Sequence, residues 1–79
     1  MRMLTLGEYR VGINFNPSGD DEVGKIKRMA ADMIDAVYAI EDVFDMTPSQ
    51  TGERKRLKAL AMTHIEDAAM WAVKAATKQ

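Results

Sequence analysis

The last third of the chain, Leu57 to Lys78, reads LKALAMTHIEDAAMWAVKAATK and carries apolar residues on more than one side of a helix. One stripe runs Leu57, Leu60, His64, Ala68, Trp71, Ala75 and a second runs Met62, Ile65, Ala69, Ala72, Ala76, both at three-and-four spacing. A two-helix hairpin covers only one such face. The surplus face needs a partner, and because much of it is alanine, neighbouring backbones can come close. The segment therefore reads as the centre of a symmetric assembly of copies.

Length supports the same expectation. A chain of 79 residues buries only about 60 to 65% of the surface that its unfolded form exposes. Domains this small add disulfides, a metal or oligomerisation, and with no Cys and one His the third route is the one left open. No cofactor is implied. There is no apolar run long enough for a bilayer, and Met1 to Tyr9 is too short and mixed for a secretion signal. The expectation is a soluble, intracellular protein.

A formal net charge of −1 provides no bulk basic field for a DNA or RNA polymer or for an anionic membrane. The charges are nevertheless clustered. Lys25, Lys27 and Arg28 form one basic group, and Arg54, Lys55, Arg56 and Lys58 form another. Acids collect at Asp20 to Glu22, at Glu41, Asp42 and Asp45, and at Glu66 with Asp67. A bound anion would be small and locally held.

Along the chain, residues 1–19 read as an extended arm and turn. Tyr9, Val11, Ile13 and Phe15 alternate with Arg10, Gly12 and Asn14, the period of an extended segment, and Asn16-Pro17-Ser18-Gly19 is a turn signal. With no second strand in the sequence, the arm either pairs with another copy or lies across helices as a strap, which is the favoured form. Helix one is expected over 20–44, opened by Asp20, Asp21 and Glu22. Its seam is Val23, Ile26, Ala30, Met33, Val37, Ile40 and Phe44, alternating three and four. The connection is 45–52, with turn and cap chemistry in Thr47-Pro48-Ser49 and Thr51-Gly52. Helix two is expected over 53–77, antiparallel to the first, so that Glu41, Asp42 and Asp45 pair with the basic start of helix two. The fold class is all-α: one domain, 1–79, an antiparallel two-helix hairpin with an extended N-terminal arm, assembled as a homo-oligomeric helical bundle.

Each conspicuous residue has a structural and a functional reading. The Arg54 to Lys58 group is either surface pairing, worth under about 1 kcal/mol per exposed pair, or a phosphate clamp near a helix start. Arg56, one turn before Leu60 on the rim of the apolar stripe, is the member best placed for the second role. Lys25, Lys27 and Arg28 oppose the helix dipole and are either neutralised by Asp20, Asp21 and Glu22 or converge on a phosphorylated ligand. Lys27 follows seam residue Ile26 and stands beside the interface. Trp71 reads as core or subunit packing, whereas Tyr9, beside Arg10, is the better candidate for stacking on a base, a contact worth about 1 to 3 kcal/mol. Thr63 bonds either its own helix or a ligand. His64 lacks a carboxylate three residues before it and a second His, so it reads as a buried or interfacial residue and not as a metal ligand. No phosphate loop, nucleophile elbow or acid and base pair is present, and catalysis is not expected.

Arg56-Leu57-x-Ala59-Leu60-Ala61-x-Thr63-His64, continuing through Glu66-Asp67-Ala68-Ala69-Met70-Trp71-Ala72, resembles the hairpin domain of small phage sponges against CBASS immunity and of related Thoeris inhibitors. The Asn16-Pro17-Ser18 turn and the Ile26-Lys27 pair are similar to that group as well. The resemblance implies a viral immune-evasion protein acting in the cytoplasm of an infected bacterial host. It implies a homo-oligomer, commonly a hexamer, that sequesters cyclic di- or trinucleotides, or cyclic ADP-ribose isomers, without cleaving them. By resemblance Tyr9 stacks on a base, Lys27 holds phosphate, and Arg56 and Thr63 belong to a separate trinucleotide pocket. Tyr9 and Lys27 are farther apart here than in the sponge pattern. The reading from a different class is a structural or regulatory helical oligomer that binds a protein partner through its second apolar face.

Overall fold

The computed structural model describes residues 3–79, and all regular structure among them is helical: α1 (Leu6–Val11), α2 (Asp21–Tyr38) and α3 (Pro48–Thr77). α2 and α3 form the hairpin, and α1 packs mainly on α2.

α1 replaces the extended arm expected over 1–19, of which Met1 and Arg2 lie outside the described residues. Two local devices specify this six-residue helix. Thr5 and Glu8 form a reciprocal capping box, with the Glu8 N–H donating to Thr5 Oγ1 at 3.1 Å and the Thr5 N–H to Glu8 Oε1 at 2.9 Å. At the other end Gly12 takes φ +65°, and the N–H groups of Gly12 and Ile13 close back onto the last turn. A helix this short does not persist alone, and its tertiary seat is close. A Cβ added to Gly7 would stand 2.1 Å from the Ala31 carbonyl oxygen, so only glycine lets the two backbones meet. The Gly7 N–H donates to Asp35 Oδ1 at 2.7 Å, and Glu8, 1% exposed, pairs with Arg28 Nη1 at 2.8 Å. The alternation of Tyr9, Val11, Ile13 and Phe15 is overridden by these contacts.

α2 starts at Asp20, whose carboxylate accepts the Glu22 N–H at 2.8 Å. It buries two adjoining lines. Val23 and Ala30 are buried and Ile26 and Val37 half-buried along the expected seam, while Lys27, Ala31 and Ile34 form a second buried line. The second line exists because a helix, not a strap, lies beside α2. The helix also ends six residues before the expected Phe44, so Ile40 lies in the connection, and Phe44 there is 93% exposed. Lys58 provides the stop: its ammonium donates to the carbonyls of Tyr38 at 3.1 Å and Ile40 at 2.6 Å, a cation on the negative end of the helix.

α3 begins at Pro48, earlier than the expected Glu53, with Thr47 and Gln50 as a capping box. The connection is thereby 39–47 and not 45–52. Of the charge pairing expected across this end, the described residues retain Arg54 with Asp42 at 4.0 Å; Arg56 instead pairs with Glu53 on its own helix. The two apolar stripes separate as their spacing requires. Met62 and Ala69 are buried and Ile65, Ala72 and Ala76 half-buried against α2, whereas Leu57, Leu60, His64, Ala68, Trp71 and Ala75 are all exposed.

The principal extents of the molecule are 50 × 31 × 12 Å, so it is strongly flattened along one axis. Its radius of gyration, 15.0 Å, exceeds the value of about 12 Å for a compact chain of this length. The surface of 6080 Å² exceeds the roughly 4800 Å² expected of a compact monomer of this mass. The chain is a plate, and much of its apolar surface lies on the outside.

Candidate functional site

Where α1 leans towards α3 the plate has a cleft of about 230 Å³, with Arg10, Lys27 and Glu66 as its charged lining and Val11, Ala69, Met70 and Val73 as its apolar wall. The elements converge for reasons already set by the fold. Arg10 follows from the helical form of α1, since Gly7 and Glu8 turn towards α2 and Arg10 is carried round to α3. Glu66 and Thr63 are three residues apart on α3 and share a side of it.

Arg10 joins them. Its Nε donates to Glu66 Oε1 at 2.7 Å, and its Nη2 reaches Thr63 Oγ1 at 3.4 Å, a long contact. The Arg10 side chain is 22% exposed. Lys27, 8% exposed, rises from α2 into the loop after α1, where its ammonium donates to the carbonyls of Gly12, at 2.9 Å, and Phe15, and lies 5.5 Å from the Phe15 ring centre. These contacts fasten the 12–19 turn onto α2. An ammonium has three donors, so two carbonyls leave one for a ligand.

The residues singled out in the sequence are therefore not gathered in one chain. Lys27 and Thr63 stand at or beside the cleft, Thr63 through Arg10. Tyr9 is 74% exposed on the outer side of α1. Arg56 lies seven residues before Thr63, on the same side of α3 and about 10 Å along its axis. Its guanidinium holds Glu53, with Nη2 to Oε2 at 2.9 Å, and this hydrogen bonding pulls the Glu53 carboxyl below its usual range and raises the guanidinium of Arg56. Hydrogen bonds to Glu8 and then to Asp32 raise Arg28 in the same way. Among the described residues no group of three or more His, Asp or Glu is arranged to hold a metal.

Trp71 is not core in the chain. It is 61% exposed, with its indole N–H on Asp67 Oδ1 at 3.2 Å and the Lys74 ammonium 5.3 Å from its ring centre. His64 is likewise exposed, on the wall of an apolar groove between α2 and α3 that Met29, Met33, Ile65 and Ala68 also line. Sequence reasoning passed over Arg10 and Glu66 as site residues. The capping box Thr5-x-x-Glu8 followed by Gly12 was the signal that α1 is helical, and a helical α1 seated on α2 through Gly7 and Glu8 brings Arg10 to α3.

A family model described as "Acb2/Tad1, hairpin domain" matches residues 8–77, from within α1 to the last residue of α3. No curated protein and no solved structure matches the chain. No helix among the described residues is long and apolar enough to cross a membrane.

Proposed function

The chain belongs to the Acb2/Tad1 hairpin-domain family, that of the anti-CBASS sponges and Thoeris inhibitors, and from that premise we propose that it sequesters a cyclic oligonucleotide immune signal, without cleaving it, at pockets completed where copies of the chain meet. Membership implies phage anti-defence through sequestration of a cyclic nucleotide. The choice of a cyclic di- or trinucleotide, the assembly and the site residues are the proposed part. In it Tyr9 stacks on a base, Lys27 uses its remaining donor on a phosphate, and Arg56 with Thr63 forms a second, trinucleotide-binding region.

The observation that carries this is the plate itself, in which an uncovered apolar stripe on α3 has Arg56 and Thr63 on one margin and the charged cleft just beyond Thr63 on that same side. A sponge competes with a receptor and so needs nanomolar binding, about −12 kcal/mol. The cleft of one chain, about 230 Å³, falls below the roughly 300 Å³ at which pockets for whole small ligands begin. Two or more copies supply the missing walls and a second phosphate contact, and a cyclic ligand arrives preorganised, which reduces the ordering cost. A hexamer is the assembly proposed. Its apolar contacts would come from Leu57, Leu60, Ala68 and Trp71.

The test is a panel of cyclic di- and trinucleotides and cyclic ADP-ribose isomers, titrated while melting temperature is followed. A ligand at 100 times its dissociation constant adds about 2.7 kcal/mol of stability. Stabilisation by cyclic ADP-ribose isomers alone would move the assignment to that signal class. If no member shifts the transition, sequestration fails for these ligands, and an oligomer that binds a protein through the outer face of α3 takes its place. Light scattering with and without ligand reads the assembly in the same samples.

A further inference from the structure

The cleft contains a cation that the site residues proposed above do not use. Arg10 has five N–H donors; one is on Glu66 and one makes the long contact to Thr63, and the remaining three have no partner among the described residues. Its pairing is not needed to seat α1, which is held to α2 by the Gly7 and Ala31 contact, the Gly7 N–H on Asp35 and the Glu8 pair with Arg28. Arg10 and Lys27 against Glu66 leave the cleft one positive charge in excess, beside an apolar wall that strengthens its field. A guanidinium held by a carboxylate presents the planar fork that a phosphate also fits.

We propose that Arg10 is a further phosphate-binding residue of this protein and that Glu66 is its internal counter-anion, which keeps the guanidinium in place and gives way to the phosphate of a cyclic nucleotide. The inference rests on the sequestration reading. It adds an anchoring residue to the pocket and a specificity rule, because a ligand that lacks a phosphate within reach of Arg10 does not displace Glu66. Thr63 belongs to the exchange, since the long contact from Arg10 Nη2 can shorten once Nε turns from Glu66 to the ligand.

The experiment measures the dissociation constant of the best-bound cyclic nucleotide of the panel on the whole protein and on three variants, with circular dichroism melting of each as a check on folding. Arg10→Ala is expected to weaken binding about tenfold or more, and Arg10→Lys, which keeps the charge and loses the fork, to recover only part of that. Glu66→Gln keeps a hydrogen-bond acceptor for Arg10 but removes the competing charge, and is expected to tighten binding about threefold. The opposite directions of the Arg10 and Glu66 variants are what a purely structural bracket does not produce. Unchanged binding by Arg10→Ala overturns the inference, as does equal weakening by Arg10→Ala and Glu66→Gln, and in both cases sequestration stands. If the unmodified protein binds no panel member, the function reading has failed first and the inference falls with it. Should Arg10→Ala not fold, Arg10→Lys and Glu66→Gln decide the question by the same two directions.

Discussion

The seat of α1 on α2 and the outer face of α3 are opposite solutions to the same problem of a short chain. In the first, contacts between elements leave little unassigned. Gly7 touches the backbone of Ala31, Glu8 is buried and paired with Arg28, Ile34 is fully buried, and the Lys27 ammonium is tied to two loop carbonyls. On the outer face of α3, the polar contacts are local, Arg56 to Glu53 and Trp71 to Asp67, and the apolar stripe between them meets solvent. One region is closed by contacts inside the chain and the other meets solvent. Function in such a molecule is to be sought where the chain leaves its contacts unfinished.

The largest expected effect lies in the finished region. Gly7→Ala places a methyl group against the Ala31 carbonyl, and because a backbone atom cannot swing aside, the loss is expected to reach about 3 kcal/mol. For a domain of this size that lowers the melting temperature by roughly 12 to 24 °C. A melting curve within a few degrees of the unmodified protein would show that α1 is not fastened as described. The next substitution acts on the unfinished region. Leu60→Ser with Trp71→Ser should change helix content little, each exposed position shifting the stability of a single chain by about 0.5 kcal/mol or less. The same pair should lower the mass read by light scattering. Retention of the unmodified mass would remove the outer face of α3 from the assembly.

The smallest effect concerns protonation. Arg56 holds the Glu53 carboxyl below its usual range, so the pair adds stability that is present above the unfolded-state pKa of Glu53 and is lost as pH falls through the lower folded value. Both side chains are more than half exposed, which keeps the contribution small. Arg56→Ala should return the Glu53 carboxyl to its ordinary range, read by NMR titration of that side chain, and flatten this part of the acid limb. An unmoved Glu53 titration would show that the hydrogen bonds are not formed in solution.

The parts legible in the sequence are those whose signals are local and repeated. The two stripes of α3 can be read because thirty consecutive helical residues give periodicity room to show, and the division between them into a covered and an uncovered face follows from their angular separation. The beginning of α2 is legible in Asp20 to Glu22. Its end is not, because Ile40 and Phe44 continue the apolar spacing, and the group that stops the helix, Lys58, comes from the other arm of the hairpin. α1 is hidden for a different reason. Six residues are too few to show a period, and the alternation of Tyr9 to Phe15 imitates a strand, while the seat at Gly7 depends on a residue 24 positions later. The Lys27 carbonyl contacts and the Arg10 bridge follow from that helix, and an extended strap gives neither.

The thinness of the plate has a consequence for how such a protein changes over generations. In a two-layer domain most apolar positions answer to one another, and a substitution that alters a binding surface often disturbs the interior behind it. Here the body is 12 Å deep, so few positions stand far from either broad side. The small set of residues that fixes the shape, Gly7, Ala31 and Ile34 among them, is separate in space from the stripe that runs from Leu57 to Ala75. Replacement along that stripe can change what packs on the outer face of α3 while the frame keeps its form.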